Sequence, residues 1–176
     1  GIAEDPAERA TAEARQPSQY RVPRHLTSSL DDRHLPTYAP TLMHEASDIL
    51  AFTDLIIFNA IIGNADAHGK NYSMLYDGQT RRLAPGYDLV STVFWPSLST
   101  APAMKIGGSD SINSILSGHW RKFAEEIRIS PTALRTRIKQ LCTAISTHTC
   151  TTLSLPDECN DVLEIIKDRA RKLGEV

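Results

Sequence analysis

Several features that mark other classes of protein are scarce or absent in this chain of 176 residues. Its most apolar stretch, "LIIFNAII" at residues 55–62, is far shorter than the roughly 20 residues of a membrane-spanning helix. Residues 1–20 are charged where a secretory signal would be apolar. The three cysteines are an odd number without a C-x-x-C pair, which argues against a disulfide framework or a zinc ribbon and is typical of a reducing compartment. We therefore predict a soluble, cytoplasmic protein with no membrane association.

A strong charge of one sign is also missing. The formal net charge is −2, so the chain lacks the basic footprint of a nucleic-acid-binding protein, and no direct nucleic-acid binding is predicted. The cationic stretch "KDRARKL" at residues 167–173 is interpreted as a helix C-terminus, where positive charge is favourable. No G-x-G-x-x-G occurs anywhere in the sequence, so a glycine-rich loop of the kind that covers nucleotide phosphates is absent.

Apolar periodicity predicts a mainly helical fold with one small β-hairpin. Residues 44–62 are apolar on nearly all faces, which is typical of a helix in the centre of a domain, and Gly63 suits the C-terminus of that helix. Asp77-Gly78 lies between two short strand-like runs and predicts the hairpin turn. Three later helices are predicted over residues 117–129, from Ser130-Pro131 and from Pro156-Asp157 onwards.

The domain boundary is predicted near residue 40. Residues 1–40 are expected to be an irregular N-terminal segment, because two prolines interrupt "QPSQYRVPRH" and "DDRHLPTYAP" has the composition of a loop. Residues 41–176 are expected to form one domain. The basic residues of the first segment are interpreted as a solvated loop in preference to an anion site.

The stretch "IIGNADAHGKN" at residues 61–71 follows the apolar helix and contains most of the candidate chemistry. Asp66 and Asn71 are separated by four residues, and a further aspartate, Asp88, follows the hairpin. Protein kinases use D-x-x-x-x-N on one loop and an Asp beyond the next hairpin, the first Asp accepting the substrate proton and the other two side chains binding magnesium. Carboxylate and amide oxygens suit Mg²⁺. The spacing therefore predicts a kinase-like site that uses Mg²⁺ and ATP.

Together with "LAPGYDLVST" at residues 83–92 and "AMKIGG" at residues 103–108, this stretch resembles the C-terminal kinase lobe of HipA-type serine/threonine kinases, the toxins of bacterial toxin–antitoxin pairs. The resemblance covers approximately residues 43–150. It implies a protein-kinase-like C-terminal lobe that transfers the γ-phosphate of ATP to a protein hydroxyl. It also implies a protein substrate tied to translation and a DNA-binding antitoxin as partner.

The resemblance implies a role for each residue of the motif. Asp66 would be the catalytic base, while Asn71 and Asp88 would bind the metal and, through it, the nucleotide. His68 would orient the loop, and Lys70 would either steady the transferring phosphate or lie against Asp66.

Two neighbouring residues would support the site. Asn64 would stabilise the turn through bonds from its side chain to the backbone. Ser91 would cap the segment that leaves the site.

The lobe that grips the nucleotide in full HipA-type kinases has no counterpart in residues 1–40. Three interpretations stay open: a part of a longer kinase, one half of a split toxin whose N-terminal lobe is a separate chain, or a degenerate remnant. Each missing electrostatic contact costs on the order of 10²–10³-fold in rate. The chain alone is therefore predicted to have little or no kinase activity.

Two other functions compete with the kinase hypothesis. One is a non-catalytic, kinase-derived interaction module that binds an antitoxin or another protein. The other is a metal-dependent phosphoesterase, because "GNAD" and "DAH" are similar to fragments of such enzymes. Paired-metal sites need further histidine ligands, however, and neither His44 nor His119 has a ligand-like neighbour in the sequence.

Overall fold

The computed structural model of the protein describes residues 18–21, 35–43, 45–77, 80–148 and 159–176. Within these residues the chain forms a body of helices and a small antiparallel sheet. The strands are β1 Ser18–Arg21, β2 Ser73–Asp77 and β3 Thr80–Leu83, in the order β1-β2-β3. The helices are α1 Leu35–Leu42, α2 Ala46–Ile62, α3 Ser117–Glu126, α4 Pro131–His148 and α5 Asn160–Gly174. This mainly helical fold with its β2–β3 hairpin confirms the predicted fold class.

Helix α2 lies at the centre of the core, as its apolar sequence predicts. Phe52, Ile57 and Ile61 are fully buried, and the helix packs against α4, α5 and β3. Burying each of these side chains contributes roughly 1.5–3 kcal/mol. The helix ends at Gly63, which has a left-handed backbone with φ of 74°. The predicted C-terminus is confirmed, and the chain turns sharply at this residue towards the candidate site.

The C-terminal helices α4 and α5 pack against α2. Leu134 and Ile138 of α4 are buried, and α4 contacts both α3 and α5. Ser130 precedes α4 and its carbonyl accepts a hydrogen bond from Leu134 N (2.9 Å), so the predicted start is confirmed. The predicted start of the last helix at Pro156-Asp157 lies outside the described residues, and α5 is described from Asn160.

Two elements of the N-terminal segment differ from the prediction. Helix α1 occupies part of the stretch that was predicted to be a loop, and Pro40 lies inside it. Pro40 removes one helix hydrogen bond, but Pro36 and Ala39 are fully buried, and this burial offsets the loss. Strand β1 pairs with β2 so that Gln19 faces Leu75. The four residues of β1 show too little apolar alternation to predict a strand.

None of the helices in the described ranges combines the length and the apolar character needed to span a bilayer. The domain boundary near residue 40 stays a prediction.

Candidate functional site

The candidate site begins where α2 ends, at Gly63. The Gly63 carbonyl accepts hydrogen bonds from Val93 N (3.2 Å) and from Thr92 Oγ1 (3.0 Å). A Cβ atom at Gly63 would lie only 2.3 Å from Cγ2 of Val93. Glycine is therefore required here both by its left-handed φ and by the close approach of the 92–93 segment.

The side chain of Asn64 connects the two acidic parts of the motif. Its Oδ1 accepts a hydrogen bond from Asp66 N (3.1 Å), and its Nδ2 donates to the Asp88 carbonyl (3.1 Å). Nδ2 also donates to Oδ1 of Asn59 on α2 (2.9 Å). Asn64 is only 3% exposed, so these bonds form away from water, where an unmade bond is costly. One carboxamide thus fixes the loop of Asp66 to the segment of Asp88, and the expected bond from Asn64 to the backbone is confirmed.

Tyr87 makes a second connection between the same two segments. Its hydroxyl donates to the Lys70 carbonyl (2.6 Å) and lies 2.7 Å from Oγ of Ser73. Because a phenol has a single proton, Ser73 is the donor in the second bond. The next residue, Asp88, has a left-handed φ of 57°, a conformation that aspartate tolerates better than most residues. The backbone at Asp88 is therefore held by the bonds of Tyr87 before it and by the bond from Asn64 to its own carbonyl.

The segment that leaves the site is bound by Thr92 and not by Ser91. Oγ1 of Thr92 accepts from Ala65 N (2.8 Å) while it donates to the Gly63 carbonyl. Ser91 precedes the short 3-10 turn Thr92–Phe94 but makes no capping bond with its side chain, and its buried Oγ has no hydrogen-bond partner among the residues that the structure describes. The expected cap at Ser91 is therefore wrong. Thr92 holds the segment instead, because its hydroxyl lies against the end of α2.

The three residues predicted to supply oxygen ligands are exposed or half-buried, and no other group in the described ranges uses these oxygens. Asp66 and Asp88 are exposed, and neither carboxylate makes a hydrogen bond or ion pair with another residue in the described ranges. Nδ2 of Asn71 lies 3.5 Å from the Asp66 carbonyl, which leaves Oδ1 of Asn71 available. Two carboxylates and one amide oxygen without competing protein cations fit the ligand chemistry of Mg²⁺.

His68 and Lys70 occupy the turn between Asp66 and Asn71. His68 N donates to the Asp66 carbonyl (2.8 Å), and Asn71 N donates to the His68 carbonyl (2.9 Å). Nδ1 of His68 is buried and has no partner in the described part of the chain. Lys70 is exposed and forms no ion pair with Asp66 among the described contacts. Of the two expectations for Lys70, contact with Asp66 is therefore not observed.

Residues 23–149 match the family of the HipA-like C-terminal domain. The chain belongs to this family. The resemblance drawn from the three motifs is thereby confirmed, and the candidate site lies wholly within the matched residues.

Two named relatives support the HipA-like assignment. Y4mE of Sinorhizobium fredii, whose name describes it as a candidate kinase, is 46% identical over 96 residues, which are 54% of this chain and 23% of Y4mE. The serine/threonine-protein kinase toxin HipA of Shewanella oneidensis is 42% identical over 59 residues, which are 34% of this chain and 14% of HipA. The chain therefore spans less than a quarter of the length of either relative.

The fold is also that of a HipA protein. HipA of Shewanella oneidensis MR-1, in its complex with HipB and operator DNA, matches with a TM-score of 0.59 and 24% identity over 70% of this chain and 30% of that chain. At this level of identity the likeness shows the fold alone. The family match and the identity to the HipA toxin, together with this fold, establish that the chain is a HipA-like C-terminal domain related to a serine/threonine kinase toxin.

The "AMKIGG" segment of this HipA-like domain packs beside the loop of Asp66. Ala103 N donates to the Ala65 carbonyl (2.8 Å), and Met104 and Ile106 are buried. Gly107 has a φ of 54°, and a Cβ there would lie 1.8 Å from the His119 carbonyl oxygen. The motif therefore has a structural role beside the site, in which the backbone of Gly107 packs directly on helix α3.

In the described ranges, no group of three or more His, Cys, Asp and Glu side chains is placed to bind a metal ion. The predicted set differs from such groups because it contains two carboxylates and one amide. The roles of Tyr87 and Thr92 could not be predicted from the sequence, because their partners lie 14 to 29 residues away in the chain. Asn59, which binds Asn64 five residues later, was also missed.

Proposed function

We propose that this domain supplies the proton acceptor and the metal-binding side chains of a serine/threonine protein kinase that uses Mg²⁺ and ATP. The main support is that Asn64 binds the backbone of both Asp66 and Asp88. The carboxylates of these two residues make no bond with any other residue in the described ranges. In a kinase, catalysis is mainly positioning and charge stabilisation. Two accessible carboxylates on segments joined by Asn64, with an amide oxygen at Asn71 that no described bond uses, are the kinds of group that such a reaction needs.

In this proposal Asp66 accepts the proton of a serine or threonine hydroxyl on a protein substrate. Oδ1 of Asn71 and the carboxylate of Asp88 would hold Mg²⁺, which would neutralise the charge on the nucleotide phosphates. The ammonium of Lys70, exposed and not paired with Asp66, steadies the transferred phosphate. His68 orients the loop through its backbone bonds to Asp66 and Asn71. Residues 41–176 form the lobe, and a nucleotide-gripping N-terminal lobe completes it from the same or a separate chain.

The partner we propose is a DNA-binding antitoxin. The support is that HipA, whose fold this domain shares, is described in a complex with HipB and operator DNA. In this proposal the antitoxin binds the DNA and the kinase domain does not.

Phosphotransfer to protein hydroxyls tests the proposal. The chain would be assayed with labelled ATP and Mg²⁺, alone and with the N-terminal lobe of a HipA-type kinase added in trans. We expect little or no transfer by the chain alone. We expect transfer with the added lobe, and a fall of at least about 10²-fold in Asp66→Asn and Asp88→Asn. Asp161→Asn, an exposed acid on α5, is the matched control and should transfer at the wild-type rate.

Two results would count against the proposal. Equal transfer by wild type and Asp66→Asn would exclude Asp66 as the proton acceptor. Failure of wild type and Asp88→Asn alike to bind Mg-ATP, even with the lobe added, would favour a non-catalytic interaction module.

A further inference from the structure

Arg169 of α5 lies outside the residues that match the HipA-like family, yet its side chain reaches the end of α2. Its Nη2 donates to the Ala60 carbonyl (2.8 Å), and its Nε donates to the Ile61 carbonyl (3.1 Å). These carbonyls belong to the last turn of α2, where helical oxygens have no partner within the helix. Arg169 therefore caps the helix from which the candidate site begins.

The other side of the same guanidinium binds the loop that follows the "AMKIGG" segment. Nη2 also donates to the Ile112 carbonyl (2.9 Å), and Nη1 donates to Oδ1 of Asn113. All of these acceptors are neutral, and no carboxylate is among them. Burial lowers the pKa of Arg169, and the negative end of the α2 dipole stabilises the charge of the guanidinium. Arg171 on the same helix differs from Arg169, because it forms a surface ion pair with Asp168.

The guanidinium of Arg169 lies next to Gly63, the residue at which the chain turns into the site loop. A Cβ at Gly63 would lie 3.0 Å from Nε of Arg169 and 2.3 Å from Val93. Gly63 is therefore enclosed between the guanidinium and the 92–93 segment, which itself binds the Gly63 carbonyl. The next residue, Asn64, connects Asp66 to Asp88. A change at Arg169 thus reaches the acidic pair through only two intervening residues.

We propose that Arg169 is a positioning residue for phosphoryl transfer, through which α5 fixes the end of α2 and hence the loop that presents Asp66. The role of Arg169 in phosphoryl transfer rests on the proposed function, whereas its fixing of the loop does not. In the folded protein, α5 acts as a brace on the site from outside the family-matched residues.

Amide hydrogen exchange on the 176-residue chain tests the brace directly. Arg169→Met should raise exchange at the amides of Asn64, Ala65 and Val93 by about ten- to hundredfold, since bonds to a charged group are lost. Exchange at the core amide of Leu134 should rise much less. Arg171→Met removes only surface ion pairs and should leave all of these amides nearly unchanged. Arg169→Lys, which retains the charge but not the fork of donors, should give an intermediate change.

The exchange pattern separates a brace from general stabilisation. If Arg169→Met raises exchange at Leu134 and at the loop amides by one common factor, Arg169 only stabilises the fold and the inference is overturned. Should Arg169→Met not fold, Arg169→Lys gives the same comparison. A selective rise at the loop supports the brace.

Phosphotransfer with the added N-terminal lobe then distinguishes the two proposals. Arg169→Lys should lower kcat about tenfold while the KM for protein substrate changes little, because the loop is misplaced and the substrate surface is intact. If Arg169→Met raises exchange only at the loop amides but the wild-type protein transfers no phosphate, the kinase proposal is wrong and the brace stands. If the wild type is active, exchange rises uniformly in Arg169→Met and kcat is unchanged in Arg169→Lys, only the brace is wrong.

Discussion

Replacing Asn64 with alanine is the perturbation whose effect on the site can be worked out most fully. The substitution removes the bonds to Asp66 N, to the Asp88 carbonyl and to Oδ1 of Asn59. A hydrogen bond contributes about 0.5–1.5 kcal/mol net, and a buried partner left unsatisfied adds a penalty. Since Asn59 is itself buried, we expect Asn64→Ala to cost about 2–4 kcal/mol.

Thermal unfolding of the isolated chain measures this cost. For a domain of this size, the expected loss corresponds to a fall in Tm of roughly 4–16 °C. Asn160→Ala is the matched control, because Asn160 is exposed at the start of α5. Surface substitutions of this kind change stability by about 0.5 kcal/mol or less.

Asn64→Asp tests the bond directions assigned to the carboxamide. The variant has nearly the same size and retains an acceptor for Asp66 N, but it places an oxygen against the Asp88 carbonyl and against Oδ1 of Asn59. Three acceptors would then face one another without a proton, so Asn64→Asp should be at least as destabilising as Asn64→Ala. A Tm within a degree or two of wild type for both variants would refute the reasoning, because the bridge would then contribute nothing.

Two further predictions concern backbone contact and thiol burial. Gly107→Ala should destabilise the fold by more than about 2 kcal/mol, because its Cβ would overlap the His119 carbonyl. Gly118→Ala is the control, because open space surrounds its Cβ, and it should be neutral or stabilising by up to about 1 kcal/mol. Equal Tm values for the two variants would contradict this prediction. Burial raises the pKa of Cys142 to about 11, so at pH 8 an alkylating reagent should modify the partly exposed Cys159 before Cys142, and it should react with Cys142 faster as the pH rises towards 11. Peptide mass spectrometry would show the order of these two, and earlier labelling of Cys142 would be the contrary result.

The sequence was informative where the chemistry is local. The apolar character of residues 44–62 predicts a buried helix because a helix that is apolar on all faces has few alternatives to the core. The spacing of Asp66, Asn71 and Asp88 predicts a kinase-like loop because protein kinases place their proton acceptor and metal-binding side chains in the same order on one loop and beyond the next hairpin. Both inferences can be drawn from the order and spacing of residues along the chain, without knowledge of contacts in the fold.

What was missed depends on contacts between distant parts of the chain. Strand β1 has a sequence without clear alternation, and it is a strand because β2 offers it an edge. Helix α1 tolerates Pro40 because the helix buries neighbouring side chains. Arg169 was interpreted as one charge at a helix C-terminus. Its side chain in fact caps a different helix, more than 100 residues earlier in the chain, and no local pattern carries that information.

The central claim is that Asp66, Asn71 and Asp88 form one divalent-cation site. Titration of the labelled chain with Mn²⁺ and ATP, followed by paramagnetic broadening of its amide signals, tests this claim most directly, and it detects even weak binding. We predict that the signals of residues 66–71 and 87–89 broaden first, and that Asp88→Asn abolishes this selectivity while Asp161→Asn does not. Broadening spread over the acidic surface, or equally strong in Asp88→Asn, would contradict the account.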